Sequence, residues 1–379
     1  MSNKGIGPLR RGVDPRTPLD LRTGIREDPI GLEGMLKSVA RSFYLTLRVL
    51  PPVLREPMGL AYLLARAADT VADSKAMPSS QRTAALAVFT QALEDTQQHP
   101  WHFTWPGLSD GGFAGQAPAE HTLPNATDRL LERLTALAAP DASAVRDVVH
   151  TLVQGMMLDL AAFPPEDAGT LAALERPEDL DRYTYLVAGC VGEFWTDMLA
   201  LHTPSLHGGD IATQRRWGME YGKALQLTNV LRDMPRDLRI GRCYLPRTQL
   251  AAFGLAAEDL LDPRHTALAR ALLHQWINTA LDYYGAATRY VLSIPRHCLR
   301  LRLAALWPAL IGLQTLALLA DADQWLDPQV KVKVPRGWVY RMLVLSVPVA
   351  VSNLAIRTGL RALERRVRRA LAASPHSPD

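Results

Sequence analysis

GMEYGKALQLTNVLRDM, residues 218–234, sets its apolar side chains three and four positions apart over about five helical turns. That spacing puts them on one face of an α-helix and leaves no strand-like alternation. The same period returns in GLAYLLARAADTVAD (59–73), DRLLERLTALAA (128–139) and VRDVVHTLVQGMMLDLAAF (145–163). It continues in LARALLHQWINTALDYYGAATRYVL (268–292) and LWPALIGLQTLALLA (306–320). The expected architecture is all-α, a single bundle of ten or so helices from about Leu32 onward. One stretch breaks the rhythm: QHPWHFTWPGLSDGGFAGQAPAEHTLPN (98–125), rich in Pro, Gly and aromatic residues. It is too long for a tight helix connection and reads as a functional loop or a mobile insert.

Of 379 residues, 48% are hydrophobic and 21% charged, which excludes wholesale disorder and multi-span membrane classes. Three cysteines (Cys190, Cys243, Cys298) form no CxxC pair, as expected of reduced thiols in a cytosol-like compartment. A net charge of +4 suits an anionic partner: nucleic acid, an acidic membrane surface or a phosphorylated substrate. Residues 1–28 are polar, with no apolar targeting core, and read as a loose arm.

Two aspartate pairs carry the chemistry. Asp69 and Asp73 lie four apart, as do Asp233 and Asp237, so each pair shares a helix face. Such like charges repel along a helix, and burying them unpaired costs more, so a cation is expected to compensate. Magnesium takes one or two carboxylates plus substrate phosphates, and facing pairs could clamp a diphosphate as it leaves. The plain alternative is a solvated helix face. Around the second pair, LQLTNVLRDMPRDLRIGRCYLP (225–246) gathers Gln226, Asn229, Arg232 and further arginines at helical spacing. Pro235 predicts that this helix ends or kinks between its two aspartates. The histidines are isolated, which argues against zinc, and no GxSxG, P-loop or GxGxxG occurs.

These segments resemble the squalene/phytoene synthases, the head-to-head prenyl transferases. SVARSFYLTLRVLPP (38–52) is similar to that family's opening helix and LARAADTVAD (64–73) to its first aspartate-rich motif. YTYLVAGCVGEFW (183–195) resembles its central helix, and QLTNVLRDMPRD with GRCYLP its second motif. Four motifs in order cover roughly residues 32–340. The resemblance implies an isoprenoid synthase helical bundle around a central active-site cavity over 29–340, with apolar and basic helices in 341–379. Many family members carry Glu just before the last Asp of both motifs; here those positions are Ala72 and Arg236.

By the same resemblance, Asp69, Asp73, Asp233 and Asp237, helped by Asn229, hold Mg2+. Arg41, Ser42, Phe43, Arg66, Gln226 and Arg232 bind the diphosphate substrate. Tyr62 and Tyr183 serve the reacting centre, and Met156, Val187, Gly189, Val191 and Gly192 line the prenyl tunnel. The implied substrate is farnesyl diphosphate. Arg242 matches a position implicated in NADPH binding, and Lys331, Lys333 and Arg336 form a basic segment like that of squalene synthases. Squalene is therefore the expected product; the alternatives are phytoene, dehydrosqualene, presqualene diphosphate, or an inactive scaffold.

Nucleic acid is not expected, because the clearest arginines flank carboxylates and the basic tail is poor in aromatics. Residues 342–356 carry no charge and precede the basic amphipathic run RTGLRALERRVRRALAAS (357–374). Two readings stand for this tail: peripheral contact with the inner face of a membrane by a cytoplasmic protein, or a last core helix followed by a solvated one.

Overall fold

The apolar stripes become helices that bury those stripes against one another. The computed structural model describes residues 31–75, 77–95, 102–107, 123–166, 168–203 and 210–373. The N-terminal arm and most of 98–125 lie outside these. The first half comprises α1 (Leu32–Val39), α2 (Arg41–Val49), α3 (Pro52–Ala72), α4 (Ser79–Glu94), α5 (Thr127–Ala136) and α6 (Ala139–Ala162). Next come α7 (Pro177–Thr184), a π-helical turn (Tyr185–Gly189) and α8 (Cys190–His202), which form one continuous rod. Then follow α9 (Ile211–Arg239), α10 (Arg247–Ala252), α11 (Thr266–Ser293), α12 (Leu299–Ala320), α13 (Arg336–Ala350) and α14 (Asn353–Ala373). A two-residue parallel pairing, β1 (Ala172–Ala173) with β2 (Arg242–Cys243), is the strand structure among the described residues.

Helix α9 is the hub, packed against α8 on one side and α11 on the other, while α3 lies along α6. Asp210 caps α9, its Oδ1 accepting from the Ala212 N–H at 3.1 Å. The expected break at Pro235 does not end this helix. It continues one more turn to Arg239 and stops at Gly241, whose φ of 86° favours glycine, so Asp233 and Asp237 sit on one helix.

Helix α12 is long and apolar enough to cross a membrane, yet it is mostly buried between α11, α13 and α14 and serves as a core helix. Helix α14 lays Ile356, Leu360 and Val367 on it and turns its arginines outward. The expected division at 340/341 falls inside α13. Within 98–125, the described part is docked: Trp105 stacks on Phe89 at 4.7 Å, and its Nε1–H donates to Thr127 Oγ1 at 2.9 Å.

Candidate active site

Helices α3 and α6, the α7–α8 rod and α9 enclose a cavity of about 600 Å³. One end is ionic. Asp69 and Asp73 come to it from the end of α3, Asp159 from α6, and Arg242 from β2, with Gln226 and Asn229 of α9 beside them. The other end is apolar, walled by Met58, Leu152, Met156, Val187, Val191 and Phe194. Tyr62 borders it and donates to the Val39 carbonyl at 3.2 Å.

At the ionic end Asp159 accepts two charge-organising bonds, from Arg242 Nη1 at 2.8 Å and from the Tyr244 hydroxyl at 2.6 Å. Tyr183 stacks on Tyr244 at 4.7 Å and donates its hydroxyl to that of Tyr244 at 3.4 Å. Arg242 also reaches toward Glu166 at 3.8 Å, and Lys75 pairs with Glu166 at 2.8 Å. Arg66 pairs with Asp69 one turn away on α3. On α9, Arg232 grips Asp233 through Nε at 2.8 Å and Nη2 at 2.5 Å.

The carboxyls here are short of positive charge. Burial raises the pKa of Asp73, against the pull of Arg242 and Arg66. Burial likewise raises that of Asp159, opposed by Arg242 and the Tyr244 hydroxyl. Asp237 is pushed up to about 7 by burial and then by Asp233, with Arg242 and Arg236 opposing. Arg242 acts on both aspartate motifs, so it lies electrostatically between them. Burial raises the Tyr183 pKa too, which keeps its phenol neutral and makes it a donor rather than a base.

An all-oxygen, electron-rich donor set of this kind fits a hard divalent cation. Among the described residues no three acidic, His or Cys side chains converge on one point, so each ion would take one or two carboxylates and draw its other ligands from phosphate or water.

The structure brings together Tyr62, Arg66, Asp69, Asp73, Met156, Tyr183, Val187, Val191, Gln226, Asn229 and Arg242 around one cavity. Arg232, Asp233 and Asp237 stand on the next turns of α9 but do not line it. Nor do Lys331, Lys333 and Arg336, which sit exposed before and at the start of α13. The side chains of Arg41, Ser42 and Phe43 lie outside the described residues.

Two tunnel residues are corrected. Gly189 packs against Tyr185, Met219 and Lys223, and Gly192 against the Gly218 backbone, so both serve helix contact rather than the cavity. Asp159 and Tyr244 were not anticipated. The signal for Asp159 was a single acid inside the apolar run MMLDLAAF, where an unpaired carboxylate would be costly.

A model of the squalene/phytoene synthase family matches residues 36–338. The presqualene diphosphate synthase of Zymomonas mobilis is 31% identical over 300 residues, covering 77% of this chain and 84% of that one. The bifunctional lycopene cyclase/phytoene synthase of Colletotrichum graminicola is 30% identical over 76% of this chain, and the match spans 46% of that enzyme's length. The squalene synthase of Eremothecium gossypii is 26% identical over 79% of this chain and 64% of its own. Among solved structures, the complex of TcSQS with the ligand BPH1237 superposes with a TM-score of 0.73 at 22% identity, covering 92% of each chain. A dehydrosqualene synthase complex gives 0.59 at 22% identity, covering 87% of this chain and 95% of that one. A helical bundle with paired aspartates at the mouth of an apolar cavity, matched along four fifths of its length, makes this chain a member of the squalene/phytoene synthase family of prenyl transferases.

Proposed function

We propose that this chain is a squalene synthase: it joins two farnesyl diphosphates head to head into presqualene diphosphate, then uses NADPH to rearrange and reduce that to squalene. The observation that carries the reading is one apolar cavity with carboxylates and arginines gathered at a single end. A prenyl chain fits the apolar part, and its diphosphate then meets Asp69, Asp73, Arg66 and Arg242.

Asp69, Asp73, Asp233 and Asp237, with Asn229, would hold Mg2+, which would neutralise charge on the leaving diphosphate. Arg41, Ser42, Phe43, Arg66, Gln226 and Arg232 orient that group, guanidinium forks matching phosphate oxygens. One substrate breaks its bond to diphosphate and becomes an allylic cation. The double bond of the second attacks it, and loss of a proton to the released diphosphate closes the cyclopropane. Tyr183, a neutral phenol stacked on Tyr244, would turn its one O–H from Tyr244 to the anion, and Tyr62 and Trp195 line the cavity where the cation forms.

The exposed cations Lys331, Lys333 and Arg336 suit the 2′-phosphate of NADPH. Arg242 is already committed to Asp159, so it serves the diphosphate end rather than the nucleotide. That commitment favours one second reading, release of presqualene diphosphate without reduction.

Incubation with farnesyl diphosphate and magnesium, followed by mass analysis, separates these readings. Squalene formed only when NADPH is present is the expected result. Presqualene diphosphate or dehydrosqualene regardless of NADPH removes the reductive half. No product at all leaves a scaffold.

We propose, further, that the protein is cytoplasmic and rests on the inner face of a membrane through α13. Tyr340, Val344 and Leu345 of α13, which buries Met342 and Ser346 inward, and Leu354 at the start of α14 are 64–75% exposed and apolar. Between 328 and 363 there is no acid and there are six Lys or Arg, a complement to anionic lipid. Sedimentation with phosphatidylglycerol vesicles is expected to carry the protein down, phosphatidylcholine vesicles much less. Leu345→Glu should reduce binding at least tenfold; unchanged binding by that variant removes the patch as the contact.

A further inference from the structure

Both aspartates of the first motif stand where a helix tolerates them least. Asp69 lies in the last turn of α3 and Asp73 is its C-cap, and no Lys or Arg occupies that turn. A helix ends in carbonyls without partners inside it, equivalent to about half a negative charge. Each carboxylate is repelled by that end and by the other carboxylate. Unsupported, the turn would fray, and its two oxygen donors would lose the fixed placement that a small octahedral cation demands.

Arg82 supports the turn from the next helix. It is the fourth residue of α4 and only 6% exposed. Its Nη1 donates to the carbonyl of Ala72 at 2.8 Å, and its Nη2 to the Ser79 hydroxyl at 3.0 Å. One planar guanidinium thus joins the end of α3 to the start of α4 across the 73–78 turn. Helix α4 is itself anchored by Leu86, Phe89 and Leu93, each at most 1% exposed. Three cations act on the charge of Asp73: Arg242, Arg66 and Arg82. The first two line the cavity, within reach of an incoming diphosphate, whereas Arg82 is not part of its wall and can act only through α3.

We infer that Arg82 is a positioning residue for the proposed metal site: by capping the end of α3 it holds Asp69 and Asp73 where both can serve a divalent ion shared with diphosphate. The inference rests on the prenyl-diphosphate reading above and adds a residue outside the cavity on which the first motif depends. A planar fork suits the task, since a lysine could hold one of the two partners but not both.

Two measurements test this. Binding of manganese in the presence of inorganic diphosphate, followed by the loss of the free-ion electron paramagnetic resonance signal, reads the site without turnover. The magnesium concentration that gives half-maximal product from farnesyl diphosphate reads it with turnover. Arg82→Met is expected to weaken manganese binding at least tenfold and to raise the magnesium midpoint by as much. A loss of folded enzyme alone would lower the rate and leave that midpoint in place. Arg82→Lys, which keeps the charge and one donor, is expected to lose no more than threefold. Thermal unfolding confirms a folded sample; where Arg82→Met does not fold, Arg82→Gln replaces it with the same expectation.

A double variant shows whether Arg82 acts through the first motif. Once Asp73→Asn has weakened that motif, adding Arg82→Met is expected to cost less than a further threefold in manganese binding. A full tenfold on top of Asp73→Asn overturns the inference, as does manganese binding by folded Arg82→Met or Arg82→Gln within threefold of wild type. If the manganese results are as expected but farnesyl diphosphate yields no product, the positioning role stands and the synthase activity falls. If wild-type protein binds no manganese with diphosphate, both fall.

Discussion

Asp233→Asn is expected to lower product formation from farnesyl diphosphate by about a thousandfold, the upper range for removing one preorganised electrostatic partner of a developing anion. The same variant should melt within a few degrees of wild type. The two halves of this expectation follow from different surroundings of the same carboxylate. Structurally, Asp233 is about 45% exposed at its side chain and is held by the neighbouring Arg232. An ion pair that open to solvent contributes under about 1 kcal/mol, and Asn can still accept from the guanidinium. Chemically, the change removes a hard anionic donor from the second motif, where each ion would have few protein ligands.

Asp69→Asn, at the first motif beside Arg66, is expected to behave the same way. Asp159→Asn is a poor substitute, since Asp159 anchors Arg242 and Tyr244 in a nearly closed setting, and its loss would lower stability and activity together. The measurement is steady-state product formation at saturating magnesium, with a thermal melt on the same sample. Asp233→Asn turning over within tenfold of wild type would remove the second motif from the metal site.

The residues that sequence reading found and those it missed differ in one physical respect. Helical period is local, so α3, α6, α9, α11 and α12 could each be read from a single window. An aspartate pair at a spacing of four is equally local, which is why Asp69 with Asp73 and Asp233 with Asp237 stood out. Asp159 was hidden because its partners Arg242 and Tyr244 lie 83 and 85 residues away in the chain. No window spans that distance.

Pro235 allowed two outcomes, an end or a kink, and the helix does not end there. Proline removes one helical hydrogen bond, but tertiary packing of the buried Met234, Pro235 and Leu238 holds the last turn in place. Gly189 and Gly192 misled because a small residue looks the same whether it opens a cavity or admits a neighbouring backbone. The partner helix decides, and it is not visible from YTYLVAGCVGEFW alone.

Gly192→Ala is accordingly expected to destabilise the fold by roughly 3 kcal/mol or more, beyond what ordinary overpacking of a core costs. A Cβ at Gly192 would stand 1.9 Å from the carbonyl oxygen of Gly218 and 2.3 Å from its carbonyl carbon. Both are backbone atoms of α9, so no rotamer change can clear the space. One turn along, a Cβ at Gly222 would lie 2.1 Å from the Ala188 carbonyl oxygen, so α9 touches the α7–α8 rod backbone to backbone at two successive points.

That contact sets the register that brings Tyr183, Val187 and Val191 to the same cavity as Gln226 and Asn229. Separating the helices therefore weakens the core and opens the site in the same step, and activity should fall along with the urea midpoint. Gly359→Ala on α14 is the matched control. Nothing lies within 4 Å of a Cβ there, and alanine's better helix propensity should raise stability by up to about 1 kcal/mol. Equal urea midpoints for the Gly192 and Gly359 variants would mean that the rod and α9 can part without cost, and the close crossing would then carry no weight in holding the site together.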